Sequence, residues 1–224
     1  MTETTIPTTG ELYENSASIA FKFVTSFKYP WEALDKIGNQ ILKIAEELPS
    51  EKFNKYDGAV WIAKNATVAR TALISGPCII DEGTEIRHCA LIRGNVIIGK
   101  GSVVGNSTEL KNCILFDGVQ VPHYNYVGDS ILGYKSHLGA GAITSNVKSD
   151  KSFVAIKSSD FCIETRLKKC GSFLGDFVEI GCGSVLNPGT IIGKRTSVYP
   201  LSSVRGVIGE NCIYKSNCNI VERK

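Results

Sequence analysis

The chain carries almost no excess charge. Its 25 Lys and Arg against 22 Asp and Glu leave a formal +3 over 224 residues. That balance gives no argument for nucleic acid as a partner. No apolar run approaches the roughly 18 residues that a membrane span requires, so no membrane span is expected. The opening residues, MTETTIPTTGELYE, hold neither a basic nor an apolar stretch, and no secretory leader is expected. There are eight cysteines but no CxxC pair, which disfavours a zinc module. Cys78 and Cys212 fall where a small apolar side chain suits a repeat. The cysteines are therefore read as reduced, buried packing residues of a cytoplasmic protein, with no metal expected. Most of the chain also lacks both the 3.6-residue period of a helix and the two-residue period of a plain strand.

What is present instead is a six-residue period. Ile62, Val68, Ile74, Ile80, Ile86, Ile92, Ile98, Val104, Leu110 and Phe116 place a large apolar residue at every sixth position. After a five-residue step the series continues through Val121 and Val127, and after another through Leu132 and Leu138. It returns as Leu174, Ile180, Leu186, Ile192, Val198 and Val204. Small or β-branched residues such as Ala66, Ala72, Cys78, Thr84, Ala90, Val96, Ser102 and Thr108 follow most beats by four positions. A hexapeptide repeat is the signature of a parallel β-helix. Three hexads close one triangular coil of roughly eighteen residues, stacked about 4.8 Å from the next. The expected fold class is mainly β: a triangular prism whose beats point inward, preceded by a short helical segment.

The organisation follows from where the beat starts and stops. Residues 1–10 are Thr-rich and expected to be disordered. Over residues 11–55, Ile19, Phe23 and Phe27, then Leu34, Ile37, Ile41, Ile44 and Leu48, recur at helical spacing. Tyr29-Pro30-Trp31 separates two helices and Pro49 closes the second. They are expected to cap the prism, since solenoid ends need cover. The β-helix occupies 60–215. A polar, basic segment over 144–172 interrupts it, and a segment of that length is expected to be functional or disordered. Residues 216–224 form a tail.

The repeat also places side chains. Arg93 and Lys111 each follow a beat by one residue, three hexads apart, and so stack on adjacent coils. Glu109 and Tyr126 precede beats with the same separation. These four are expected at one corner, where two cations beside a carboxylate suit an anionic phosphate, although a solvated salt-bridge ladder would look the same. His123 lies on the face leading to that corner, with His88 two coils above it. The surroundings of His123 are Val121-Pro122-His123-Tyr124-Asn125-Tyr126-Val127-Gly128-Asp129. A histidine there is a candidate general base.

The runs Glu109-Leu110-Lys111-Asn112, Val121 to Asp129, and Leu138-Gly139-Ala140-Gly141-Ala142-Ile143-Thr144-Ser145-Asn146 resemble a known family. They are similar to the acetyltransferase domain of the bifunctional N-acetylglucosamine-1-phosphate uridyltransferase/glucosamine-1-phosphate acetyltransferases and their archaeal-type relatives, in register over residues 60–215. The resemblance implies a left-handed β-helix, against the right-handed default of parallel crossovers. It implies a homotrimer with sites between subunits and acetyl-CoA as co-substrate. It makes His123 the base that takes a proton from the amine of an amino-sugar phosphate such as glucosamine 1-phosphate. Arg93 and Lys111 would hold the phosphate, with Glu109 and Tyr126 also at the substrate. Asn146, the backbone at Ala140 and the Lys148 ammonium would contact the cofactor. Where the family has a sugar-contacting asparagine this chain has His137, so the sugar is expected to differ. Residues 1–55 lack a glycine-rich nucleotide loop, and no nucleotidyltransferase activity is expected. A non-catalytic sugar-nucleotide or partner-binding trimer is the alternative. A metal hydratase of the γ-carbonic anhydrase type would need converging histidines, and His88, His123 and His137 are not closely paired.

Overall fold

A computed structural model describes residues 5–159, 161–216 and 219–223. From Val60 onward the chain winds as a parallel β-solenoid with three faces. On the first face Val60–Ala63, Cys78–Ile80, Val96–Ile98 and the second halves of Glu109–Leu115 and Tyr126–Leu132 pair in parallel, followed by Ser172–Leu174, Thr190–Ile192 and Val207–Ile208. The second face runs from Thr67–Val68 through Gln120–His123 and His137–Leu138 to Cys212–Ser216. The third runs from Leu73–Ser75 through Leu91–Arg93, Glu109–Lys111 and Tyr126–Gly128 to Ser203–Val204.

The six-residue beats form the inner wall. Ile80, Ile92, Ile98, Val104, Leu110, Val121, Val127, Leu132, Leu138, Leu174, Leu186, Ile192 and Val204 are all inaccessible to solvent. Burying each contributes about 1.5–3 kcal/mol. One beat differs from the sequence reading. Leu115, not Phe116, pairs with Ile98 and Leu132. The five-residue step therefore falls between Leu110 and Leu115. Phe116 lies outside the prism, its ring stacked on Tyr13 with centroids 5.0 Å apart. The solenoid also continues beyond Leu138, for Thr144 is buried in register with Val127 and Leu186.

The N-terminal segment differs from the expected cap in two ways. It contains α1 (Thr9–Leu12), α2 (Phe21–Thr25), a 3₁₀ turn at Pro30–Lys36 and α3 (Ile37–Glu46). It lies along the first face rather than over an end, with α3 against Cys78–Ile80, Val96–Ile98 and Glu109–Leu115. The reason is the outward middle position of that face, which is apolar in coil after coil: Ile79, Ile97, Ile114, Ile131, Phe173 and Ile191, all fully buried. Water would solvate such a stripe poorly, and the helices cover it. Residues 5–10, expected to be disordered, are ordered here, with Ile6 and Thr9 buried; residues 1–4 lie outside the described residues. Asp176 ties the segment down by accepting the Glu14 N–H at 2.7 Å and the Tyr134 N–H at 2.8 Å.

The interruption at 144–172 is a folded insertion. Ser130 is linked to Ser172, 42 residues on, by an N–H···Oγ bond of 2.9 Å. Within the insertion Ala155–Lys157 pairs antiparallel with Cys162–Glu164, and Val154 and Ile156 are buried. At the far end Cys212–Ser216 pairs antiparallel with Asn219–Glu222. Among the described residues all seven cysteines are free thiols, but only Cys78, Cys113 and Cys170 are buried. Cys89, Cys162 and Cys182 are exposed and Cys212 is intermediate, because outward positions of a coil admit cysteine as readily as inward ones; Cys218 lies outside the described residues. No described helix is long and apolar enough to cross a membrane.

Candidate functional site

The third face carries the candidate site. In Glu109–Leu115 and Tyr126–Leu132 the beats Leu110 and Val127 point inward, so the residues on either side of each point out. Glu109 lies opposite Tyr126 and Lys111 opposite Gly128; Leu91–Arg93 continues the ladder one coil above. Arg93, Glu109, Lys111 and Tyr126 are therefore brought together as the repeat predicts. They lie across one face rather than at a corner, because each beat sits in the middle of its strand.

Arg93 and Lys111 each have a carboxylate partner. Arg93 donates to Glu109 Oε1 at 2.6 Å, and Lys111 Nζ lies 3.5 Å from Asp129 Oδ2. The first pair is solvent-exposed and contributes little to stability. The second closes on a carboxylate only 4% exposed. Asp129 also accepts from Asn112 Nδ2 at 2.9 Å and Asn146 Nδ2 at 2.5 Å. Asn146 Nδ2 is also 3.1 Å from Tyr126 Oη. Burial raises the Tyr126 phenol above its ordinary pKa of 10.0, with the Asn146 bond opposing. Gly128 makes room for this: a Cβ there would meet Tyr126 Oη at 2.4 Å and Asn146 Nδ2 at 2.9 Å.

His123 stands at the corner before this face. Its chain neighbour Tyr124 takes a positive φ of 51°, as do Cys89, Ser107, Gly141, Gly183 and Leu201 along the same edge. The imidazole is exposed and bonds to no other described residue. The backbone beneath it is fixed by Asn125, which is 2% exposed. Asn125 Oδ1 accepts the His123 N–H at 3.1 Å, and Asn125 Nδ2 donates to the carbonyls of Gly139 and Ala142, both at 2.9 Å. Ala140, exposed at the same corner, is one coil on, where the Gly141 N–H donates to His123 O at 3.0 Å.

Three expectations fall outside this cluster. His137 lies on the second face, beside Gln120, with Nδ1 2.9 Å from Glu179 Oε2. The Lys148 ammonium is held within the insertion by Ser152 Oγ at 2.5 Å and Asp150 Oδ2 at 3.5 Å. His88 shares the His123 edge, but its Nδ1 is 2.6 Å from Thr71 Oγ1. Among the described residues no three His, Cys, Asp or Glu side chains converge on a metal-binding position. Asn125, Asp129 and Gly128 stand inside the motif that drew attention to His123, yet sequence reasoning gave them no role. The available signal was positional: an Asn or Asp at a coil corner suits a left-handed backbone, as Asn112 and Asp129 adopt with φ 47° and 48°.

A bifunctional GlmU protein of Methanococcus maripaludis is 31% identical over 191 residues, covering 84% of this chain and 44% of the relative. A bifunctional sugar-1-phosphate nucleotidylyltransferase/acetyltransferase of Sulfurisphaera tokodaii is 29% identical over 189 residues, covering 83% of this chain and 47% of the relative. The chain thus spans about half the length of the curated relatives it matches. Among solved structures, the acetyltransferase domain of PglB from Neisseria gonorrhoeae is matched at 19% identity and a TM-score of 0.33, over 71% of this chain and 63% of that one. The family model for the GMPPB C-terminal domain matches residues 74–199, more than half of the chain, and the protein belongs to that family.

Proposed function

We propose that this chain is an acyl-CoA-dependent sugar N-acetyltransferase that acetylates the amine of an amino-sugar phosphate, with acetyl-CoA as donor and glucosamine 1-phosphate as the simplest acceptor. The observation that carries the reading is the combination at the third face. An exposed imidazole, on a backbone fixed by the buried Asn125, stands at the edge of a face that presents Arg93, Lys111, Tyr126 and Asn146. The relatives named as nucleotidylyltransferase/acetyltransferases support the reaction class.

In this reading the amine nitrogen attacks the thioester carbonyl carbon. An N–C bond forms, the C–S bond breaks, and CoA leaves with the electron pair of that bond. His123 takes the proton released by the nitrogen and returns it to the departing sulfur. A positioned base of this kind contributes about 10²–10⁴-fold. The acceptor phosphate engages the exposed Arg93, exchanging with the half-buried Glu109, while Lys111 stays anchored by Asp129. Ala140 lies one coil from His123, where its backbone can border the thioester. The substrate sites complete between subunits of a homotrimer, and His137 with Glu179 on the adjoining face reaches the sugar bound by a neighbour. The Lys148 ammonium, paired in its own loop with the exposed Asp150, would have to exchange that partner to meet a cofactor phosphate.

The test is CoA release from acetyl-CoA in the presence of glucosamine 1-phosphate and a panel of other amino sugars, with and without phosphate, alongside light scattering for the subunit count. Acceptor-dependent release by a trimer is expected. A folded protein that binds CoA yet releases none with any amino sugar contradicts the reaction.

A further inference from the structure

Asp129 is the deepest charged group of the third face, and three donors from two neighbouring coils converge on it. Lys111 and Asn112 come from the coil above and Asn146 from the coil below. We infer that Asp129 is a positioning residue for the acetyl transfer: it fixes which end of the Asn146 amide faces the substrate. The inference rests on the proposed reaction and goes beyond it by assigning a hydrogen-bond polarity to the site.

The argument is one of donors and acceptors. An ionised carboxylate has no proton to give. The end of Asn146 that meets Asp129 must therefore be its NH₂. The 2.5 Å contact uses one amide proton, and the 3.1 Å contact to Tyr126 Oη uses the other. Both Asn146 donors are then consumed within the protein. Its Oδ1 lone pairs are what remain for a ligand. The same chain of bonds sets Tyr126, whose oxygen accepts from Asn146 so that its own O–H is free to donate outward.

This polarity suits an attacking amine. The nitrogen needs its lone pair aimed at the thioester carbon and its N–H groups aimed elsewhere. An Asn146 oxygen, together with His123, gives those N–H groups acceptors. The opposite orientation would offer an NH₂ to the nitrogen lone pair and tie up the electrons that must form the new bond. Asp129 is the group that decides between the two orientations, without itself touching the amine. With Asn at position 129 the decision is lost, because an amide at 129 both donates and accepts.

Asp129→Asn is nearly isosteric and tests the idea with two readouts. In steady-state kinetics it lowers kcat by roughly 10- to 100-fold, as for a misplaced reacting group, with the KM for acetyl-CoA unchanged. In a double-mutant cycle, Asp129→Asn combined with Asn146→Ala is no slower than Asn146→Ala alone, because Asp129 acts through Asn146. Losses that multiply in the double variant overturn the inference. The second readout needs no turnover. In ¹⁵N-labelled protein the Asn146 side-chain NH₂ resonances, displaced by the carboxylate bond, move toward those of a solvated asparagine in Asp129→Asn. Unmoved resonances also overturn it. Wild-type protein that transfers acetyl to no amino sugar, but whose Asn146 resonances move as described, contradicts the proposed reaction while upholding the hold of Asp129 on Asn146.

Discussion

Asn125 carries His123. One buried amide accepts the His123 N–H at 3.1 Å and spends both of its own protons on Gly139 O and Ala142 O in the next coil. The exposed imidazole is thus mounted on a corner whose backbone is bonded across two coils. Asn125→Ala leaves the His123 N–H and two carbonyls without this partner. It is expected to cost at least about 2 kcal/mol in urea unfolding and to lower turnover as well. Asn125→Asp costs more, since a carboxylate cannot donate to either carbonyl. An Asn125→Ala protein as stable as wild type would show the bonds to be dispensable.

Gly128 is the space that Tyr126 occupies. The atoms a Cβ would strike, Tyr126 Oη and Asn146 Nδ2, are the ends of side chains, so Gly128→Ala can fold by displacing them. The expected result is a thermal midpoint close to wild type with turnover reduced about 10- to 100-fold. An equally active Gly128→Ala enzyme would separate Tyr126 and Asn146 from catalysis.

Arg93 is an exposed cation on this face, paired with the half-buried Glu109. Arg93→Ala is expected to raise KM for a phosphorylated amino sugar by about 10- to 100-fold, the scale of a lost charge-assisted bond. KM for the same sugar without phosphate is expected to stay within roughly twofold. Equal effects on both acceptors would remove the phosphate from Arg93.

Asp176 links the N-terminal segment to the solenoid and makes one part of stability depend on pH. Burial pushes its carboxyl above the ordinary 3.8, although the Glu14 and Tyr134 N–H groups oppose the shift. The folded protein therefore holds this proton to a higher pH than the unfolded chain does. The contribution is fully present below pH 3.8 and is lost as pH rises through the folded value. The stability of wild type minus that of Asp176→Asn should fall with increasing pH across that window. A difference that rises with pH would mean the two N–H bonds outweigh burial.

Much of this architecture is legible in the residues. Ile80, Ile98, Leu132 and Leu174 sit at inward positions because a six-residue apolar period admits few other arrangements. The stacking of Arg93 on Lys111 and of Glu109 against Tyr126 follows from counting three hexads. What eluded the count was local. A one-residue shift from Phe116 to Leu115 depends on which of two adjacent apolar residues turns toward Tyr13, and both satisfy the pattern. The position of the helices was written in the outward residues Ile79, Ile97, Ile114 and Ile131, but attention to inward beats passes over them. The hold of Asp150 and Ser152 on Lys148 arises inside an insertion that the repeat does not describe. Asp129 gives no sign in sequence of its partners, because Asn112 and Asn146 reach it only after the coils stack.

The most direct test of the account is acetyl transfer by His123→Ala. Wild-type protein should release CoA from acetyl-CoA only when an amino-sugar acceptor is present. His123→Ala, folded to the same secondary structure and still binding CoA, should lose roughly 10²–10⁴-fold in kcat. Full turnover by His123→Ala would contradict the assignment of His123 as the base.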